Sequence, residues 1–258
     1  MCRYLELTSN IVIPTYNLMI GIGIIFGIIF LEKQITNFNI DADTDKKLYF
    51  SILISSLFGF IGAKVFLLVY YQADFNLKNI LLSGSTYYGG FLSSIVVFFI
   101  CNRFLNISSH ISINLVTPSL IIAHAFGRLG CFFAGCCFGA PTKTFIGIIY
   151  PEGSIPALHL GAHVAVHPVQ IYESIFLFSL FYVTYRFVPL IWRVTIYLLS
   201  YGAARFFLEF LRGDDRGLLI THSLSPSQIV SIILFLTGVI LLFCQLGISK
   251  RRELVYFS

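Results

Sequence analysis

Residues 113–133 read INLVTPSLIIAHAFGRLGCFF. A helix rises 1.5 Å per residue, so roughly 20 apolar residues cross the ~30 Å hydrocarbon core of a bilayer. This stretch has that length, and His124 and Arg128 are the ionic groups within it. They lie four apart and so stack on one helix face. A charge at the centre of a membrane helix costs about 2.5–3.5 kcal/mol on insertion scales, which makes each such residue a functional candidate.

Six further stretches have the same character: 15–31, 48–71, 88–102, 168–187, 189–211 and 226–246. The chain is 57% apolar and 11% charged, against about 25% charged in ordinary soluble domains. The sequence therefore predicts an all-α polytopic membrane protein, with seven transmembrane helices in a single integral membrane domain spanning 1–258. Pro14, Pro168, Pro189 and Pro226 suit first turns of helices. The first apolar stretch is too long for the core of a cleavable signal peptide, and Cys2, with no such segment before it, reads as an unmodified residue.

Lysines and arginines in the loops set orientation. One side would carry Lys33, Lys46, Lys47, Arg103, Arg186, Arg193, Lys250, Arg251 and Arg252; the other would carry Arg3, Lys78, Lys143, Arg212 and Arg216. That bias places the N-terminus outside and the C-terminus in the cytoplasm. The net charge of +5 is then a topology signal, and no basic face interleaved with aromatics points to nucleic acid.

With this topology the unusual polar residues gather in the outer half of the membrane. They are Tyr16, Lys64, Tyr88 with Gly89 and Gly90, His124, Arg128, His167, Gln170, Glu173, Arg205 and Glu209. Arg205, Glu209 and Arg212 are spaced by four and three, so they are expected on one helix face. Arginines converging on a cavity with few counter-charges suit a phosphate, onto which guanidinium forks. At this depth the phosphate is that of a phospholipid head group. Gly127, Gly130 and Gly135 suit either close helix packing or backbone approach to an anion.

Cys131, Cys136 and Cys137 open a second class of reading, a membrane thiol-redox or metal-binding protein. Its spacing is poor: no C-x-x-C is present, and adjacent cysteines form a bridge only with strain. His159, His163 and His167 recur every four residues, but Gly161 and Pro168 argue for a loop there. Cys101 and Cys244 read as small apolar filler. The sequence calls for no cofactor.

From Tyr16 to Arg216 the chain resembles the prolipoprotein diacylglyceryl transferase family. The resemblance rests on YNLM, GAKVFLLVYY, STYYGG, FGRLGCFFAGCCFG, HPVQIYE and YGAARFFLEFLRGDD, in that order. It implies a seven-helix enzyme of the bacterial cytoplasmic (inner) membrane. Such an enzyme moves the diacylglyceryl group of phosphatidylglycerol onto the lipobox cysteine thiol in prolipoprotein signal peptides, releasing glycerol phosphate. Carried over by motif, Tyr16 matches the family's essential tyrosine, Arg128 the signature arginine, Gly139 the signature's last glycine, and Arg205 with Glu209 the pair of the sixth helix. The family signature reads G-R-x-G-N-F-x-N-G-E-x-x-G; here Cys131 and Ala134 stand at its asparagines and Cys136 at its glutamate. Tyr88 stands where many members carry histidine, Lys64 replaces an arginine, and Asn114 an aspartate.

If the resemblance holds, Tyr16, Arg128, Arg205, Glu209 and His167 carry the chemistry. Arg128 and Arg205 hold the leaving phosphate, and Glu209 orients Arg205. Lys64, Tyr88, Gly89, Gly90, Gly127, Gly130, Cys131, Gly139, Gln170 and Glu173 line the substrate site. His167, Glu173 and His124 all remain open as the base. The departures from the signature also suit a non-catalytic lipid- or lipoprotein-binding relative.

Overall fold

The computed structural model describes residues 4–8, 11–70, 86–214 and 224–256. Cys2, Arg3, Lys78 and Arg216 lie outside the described residues. Each apolar stretch read from the sequence is a helix. These are α1 (Thr15–Asn37), α2 (Ala42–Tyr70), α3 (Tyr87–Phe104), α4 (Ser109–Ala134), α6 (Val169–Arg186), α7 (Arg193–Leu208) and α8 (Pro226–Tyr256). Single 3₁₀ turns, Leu190–Trp192 and Glu209–Leu211, flank α7. Among the described residues five helical segments are long and apolar enough to cross a membrane: Thr15–Asn37, Ala42–Val69, Ser109–Ala134, Leu190–Leu211 and Pro226–Gly247. At 18 residues each, α3 and α6 reach about 27 Å, just short of the hydrocarbon core.

Three local features depart from the sequence reading. Pro14 ends a strand instead of entering a helix: β1 (Tyr4–Thr8) and β2 (Ile11–Pro14) form an antiparallel pair ahead of α1. Pro168 is the residue before α6 and not part of its first turn. The histidine-bearing loop contains a short helix, α5 (Ile155–Leu160), which includes His159. Its start is local: the Ser154 side chain accepts from the Ala157 N–H at 3.4 Å, and Pro156 needs no amide partner in the first turn. A two-residue pair, β3 (Ile148–Ile149) with β4 (Ala165–Val166), closes that loop.

The described chain divides into two compact units. The smaller, Lys33–Ile113, contains α2 and α3. Their contact is built from small residues: a Cβ on Gly90 would lie 3.1 Å from the Gly59 carbonyl oxygen and 3.2 Å from Ala63 Cβ. Close backbone approach of this kind is how helices associate where no hydrophobic force separates lipid from protein. Thr86 donates both N–H and hydroxyl to the Ala63 carbonyl, at 3.0 and 3.1 Å. Ser51 donates to Asn102 at 2.8 Å.

The larger unit, Met1–Glu32 with Asn114–Ser258, holds the remaining elements. Its core joins α4, α6 and α7 through Ile121, Ile122, Ala125, Leu177, Leu180, Phe181 and Tyr201. Asn114, fully buried, accepts from the Val194 N–H at 2.9 Å and so caps the start of α7. A second small core of Phe138, Tyr150 and Val166 underlies the loop after α4.

Candidate functional site

At one end of the larger unit the last turns of α4, the start of α6 and the end of α7 meet. Glu173 is the hub and is 1% exposed. Its Oε1 lies 3.0 Å from Arg128 Nε and 3.9 Å from His124 Nε2, and accepts the Tyr201 hydroxyl at 2.9 Å. A carboxylate stays ionised at such depth only with a partner this close. His124 is packed edge-on against Tyr201, with ring centroids 4.9 Å apart, and its Nδ1 is 3.5 Å from the Tyr197 hydroxyl.

A second buried pair sits beside this hub. Arg205 Nη2 is 2.7 Å from Glu209 Oε2, and Ser225 donates its hydroxyl to Glu209 Oε1 at 2.8 Å. Arg205 also stands within electrostatic reach of Glu173 and His124. The expected three-residue row ends there. The helix tightens into the Glu209–Leu211 3₁₀ turn, and Arg212 is extended (φ −78°, ψ 144°). Its guanidinium turns to Asp214 in a two-pronged pair at 2.7 and 2.6 Å.

The loop after α4 is laced to both neighbouring motifs by backbone hydrogen bonds. Gly139 N–H donates to the His167 carbonyl at 3.0 Å, and His167 N–H returns to Ala140 at 3.0 Å. Ala140 N–H donates to Leu211 at 2.8 Å, and Gly213 N–H to Phe138 at 3.1 Å. A Cβ on Gly139 would lie 2.7 Å from His167 Cβ and 2.8 Å from the Leu211 carbonyl oxygen, so glycine is required there. Gln170, buried, donates to the Cys136 carbonyl at 2.7 Å and to the Tyr150 hydroxyl at 3.1 Å. Burial pushes the Tyr150 phenol up to about 12, against the opposing effect of that donated bond.

Tyr16 enters from the start of α1. Gly130 is its seat: a Cβ there would be 3.1 Å from the Tyr16 ring and 3.2 Å from its carbonyl oxygen. Tyr16 is 38% exposed and, with Tyr4, Pro14, Asn17, Ala134 and Cys136, lines a cavity of about 330 Å³. His167 is half-buried, with Nδ1 3.3 Å from the Tyr172 hydroxyl.

The structure thus brings together Tyr16, Arg128, Gly130, Cys131, Gly139, His167, Gln170, Glu173, Arg205 and Glu209 within the larger unit. Gly127 plays no packing part, since nothing lies within 4 Å of a Cβ built on it. Lys64, Tyr88, Gly89 and Gly90 belong to the smaller unit. Lys64 is buried on α2 with Nζ 5.3 Å from the Phe60 ring centroid. Gly89 and Gly90, read from sequence as substrate-binding, are engaged in the α2–α3 contact. Tyr88 lies in the first turn of α3, and its side chain is outside the described residues. Sequence reading missed Tyr197, Tyr201 and Ser225. A signal for two of them was present, because Tyr197, Tyr201, Arg205 and Glu209 repeat every four residues.

Residues 4–244 match the family model described as prolipoprotein diacylglyceryl transferase. The chain belongs to that family. It is 31% identical over 244 residues to phosphatidylglycerol–prolipoprotein diacylglyceryl transferase 2 of Clostridium perfringens, covering 89% of this chain and 90% of the relative. It is 32% identical over 237 residues to the transferase of Clostridium tetani (87% and 90%), and 29% over 240 residues to that of Staphylococcus haemolyticus (89% and 83%). Family membership favours group transfer over the thiol-redox reading as the main activity, and the laced loop is the segment that carries the family signature.

Proposed function

We propose that this protein transfers the diacylglyceryl group of phosphatidylglycerol to the lipobox cysteine of prolipoprotein signal peptides. It works as a single seven-span domain of the bacterial cytoplasmic (inner) membrane, with its N-terminus outside and its C-terminus in the cytoplasm. The relatives' names supply the substrates. The observation that carries the reading is Arg205 Nη1, which is buried with no hydrogen-bond partner among the described residues. An orphaned charged donor at such depth costs free energy unless a ligand completes it, and a lipid phosphate oxygen does so.

The chemistry then divides among named groups. The substrate thiolate attacks the terminal glyceryl carbon, an S–C bond forms, and the C–O bond to phosphate breaks. Charge grows on the leaving glycerol phosphate, where Arg128 and Arg205 are preorganised to meet it. Glu173 and Glu209 fix those arginines, and each neutral pair can be held in a low-dielectric site. Their commitment to the arginines leaves Glu173 poorly placed as a base. His124 is enclosed by Tyr197 and Tyr201. His167, half-buried and bonded to the laced loop through its backbone, is the acceptor of the thiol proton. Tyr16 and Asn17 face the cavity that receives the lipid or the peptide.

The test is transfer itself. Purified protein with phosphatidylglycerol and a lipobox peptide should add one diacylglyceryl mass to the peptide and release an equal amount of glycerol phosphate. A peptide with serine at the lipobox position should stay unmodified. No adduct on the cysteine peptide at saturating phosphatidylglycerol refutes the reading.

A further inference from the structure

The cysteines that replace the signature's polar residues are not scattered filler. The Sγ atoms of Cys131, Cys136 and Cys137 all lie within 4.8 Å of one another, and the described cysteines are free thiols. Two left-handed residues bring them together: Gly135 (φ 74°) turns the chain at the end of α4, and Cys137 (φ 62°) turns it again. Glycine adopts that conformation freely, but for cysteine it costs of order 1–3 kcal/mol and persists only where the surroundings impose it. Here it turns the third thiol back towards the other two. Tetrahedral Zn–S bonds of about 2.3 Å place ligand sulfurs about 3.8 Å apart, so side-chain adjustments of about 1 Å or less close this cluster around an ion.

We infer that Cys131, Cys136 and Cys137 form a three-thiolate site for Zn²⁺ or a similar thiophilic cation, with its fourth position open to the Tyr16 cavity. Three convergent sulfurs suit a soft-metal site better than a disulfide, which would use two and strand the third. Charge also fits. Three thiolates and a divalent cation leave one negative charge, and Arg212 lies within hydrogen-bonding reach of Cys137 while Arg128 stands near Cys131 and Cys137. Binding releases the three thiol protons to solvent.

Cys136 lines the cavity, so the open position faces the space where a substrate arrives. Three protein ligands with one open position is the pattern of zinc sites that act on a bound group. The ligand it takes is a thiol, which on coordination gives up its proton to the proposed base, His167, and stays bound as thiolate. For the transfer reaction, that ligand is the lipobox cysteine; this step rests on the proposed function, whereas metal binding does not.

The test uses the full-length protein in detergent, reduced and stripped of metal. Titration with Co²⁺ should give sulfur-to-cobalt charge-transfer bands that saturate at one ion per chain, and Zn²⁺ should abolish them. Thiol alkylation followed by intact mass should count six labels without metal and three fewer with Zn²⁺. Peptide mapping should place the protection at Cys131, Cys136 and Cys137, with Cys101 and Cys244 still labelled. This protection assay needs no variant and so stands even if Cys136→Ser fails to fold; a folded C136S should lose saturable cobalt binding. Equal labelling with and without Zn²⁺ overturns the site. A lipobox peptide should alter the cobalt bands and its serine counterpart should not; unchanged bands overturn the open position. A protein that binds metal yet transfers no lipid retains the site and refutes the proposed function instead.

Discussion

Arg205→Lys tests the phosphate assignment most sharply. In the structure the guanidinium serves two directions: Nη2 meets Glu209 at 2.7 Å, while Nη1 is buried without a hydrogen-bond partner among the described residues. A lysine ammonium keeps the charge but offers one nitrogen on a flexible stem, so it cannot hold Glu209 and a phosphate oxygen along both directions. Folding should lose less than the about 1.5–3 kcal/mol that a whole charge-assisted hydrogen bond contributes, because the ion pair survives and one such bond is only weakened. Catalysis should suffer more. Removing one preorganised donor to developing negative charge costs about 10²–10³ in kcat, or roughly 2.7–4 kcal/mol. Since that charge grows as the C–O bond breaks, kcat should fall much more than KM for phosphatidylglycerol rises. The assay is initial-rate transfer to a lipobox peptide across lipid concentrations, with thermal unfolding in the same detergent as the control. An Arg205→Lys enzyme with kcat within about twofold of the parent would refute the argument that Nη1 meets the leaving phosphate.

Other expectations follow from the same geometry. Glu173→Gln keeps an acceptor for Tyr201 but leaves Arg128 buried without its counter-charge, so the variant should lose about 3–5 kcal/mol of stability in denaturant unfolding. Gly139→Ala should cost about 1–3 kcal/mol and abolish transfer, because its Cβ meets backbone carbonyls that cannot step aside. Gly127→Ala meets nothing within 4 Å and should stabilise α4 by up to about 1 kcal/mol; both are read by thermal unfolding. Tyr150 has its folded pKa raised from 10.0 to about 12, so the stability it contributes is complete below about pH 10 and lost as pH rises towards 12. Unfolding followed across that range should show the loss, and Tyr150→Phe should flatten it.

The helices were legible because their determinant is local: a long apolar run specifies a helix once water is removed. The two buried ion pairs were also foreshadowed, since ionic groups inside apolar runs demand partners. The sequence misled where the chain leaves the membrane helices. Nothing in RFFLEFLRGDD reveals that α7 stops at Leu208, so the i,i+3 relation of Glu209 and Arg212 never forms and Arg212 finds Asp214. Gly89 and Gly90 carry a motif that looks like ligand approach, yet their partners are Gly59, Gly62, Ala63 and Phe66 on α2, more than twenty positions earlier. The β1–β2 and β3–β4 pairs escaped notice because two- to five-residue strands have too few positions to display a period.

The lacing of the signature loop sets where this chain tolerates changes in length. Gly139 and Ala140 are in register with His167 and with Leu211, and Thr142 N–H donates to Ala165 at 2.8 Å. One residue inserted between 138 and 142 would move the loop out of step with two other segments at once. Between 151 and 163 the chain runs outward through exposed Glu152, Gly153 and Gly161 before returning to the same anchors. Extra residues there lengthen a surface excursion whose two ends stay fixed. Epitope tags or reporter insertions belong in that excursion, and a cysteine loop transplanted into another family member must travel with both of its partner segments.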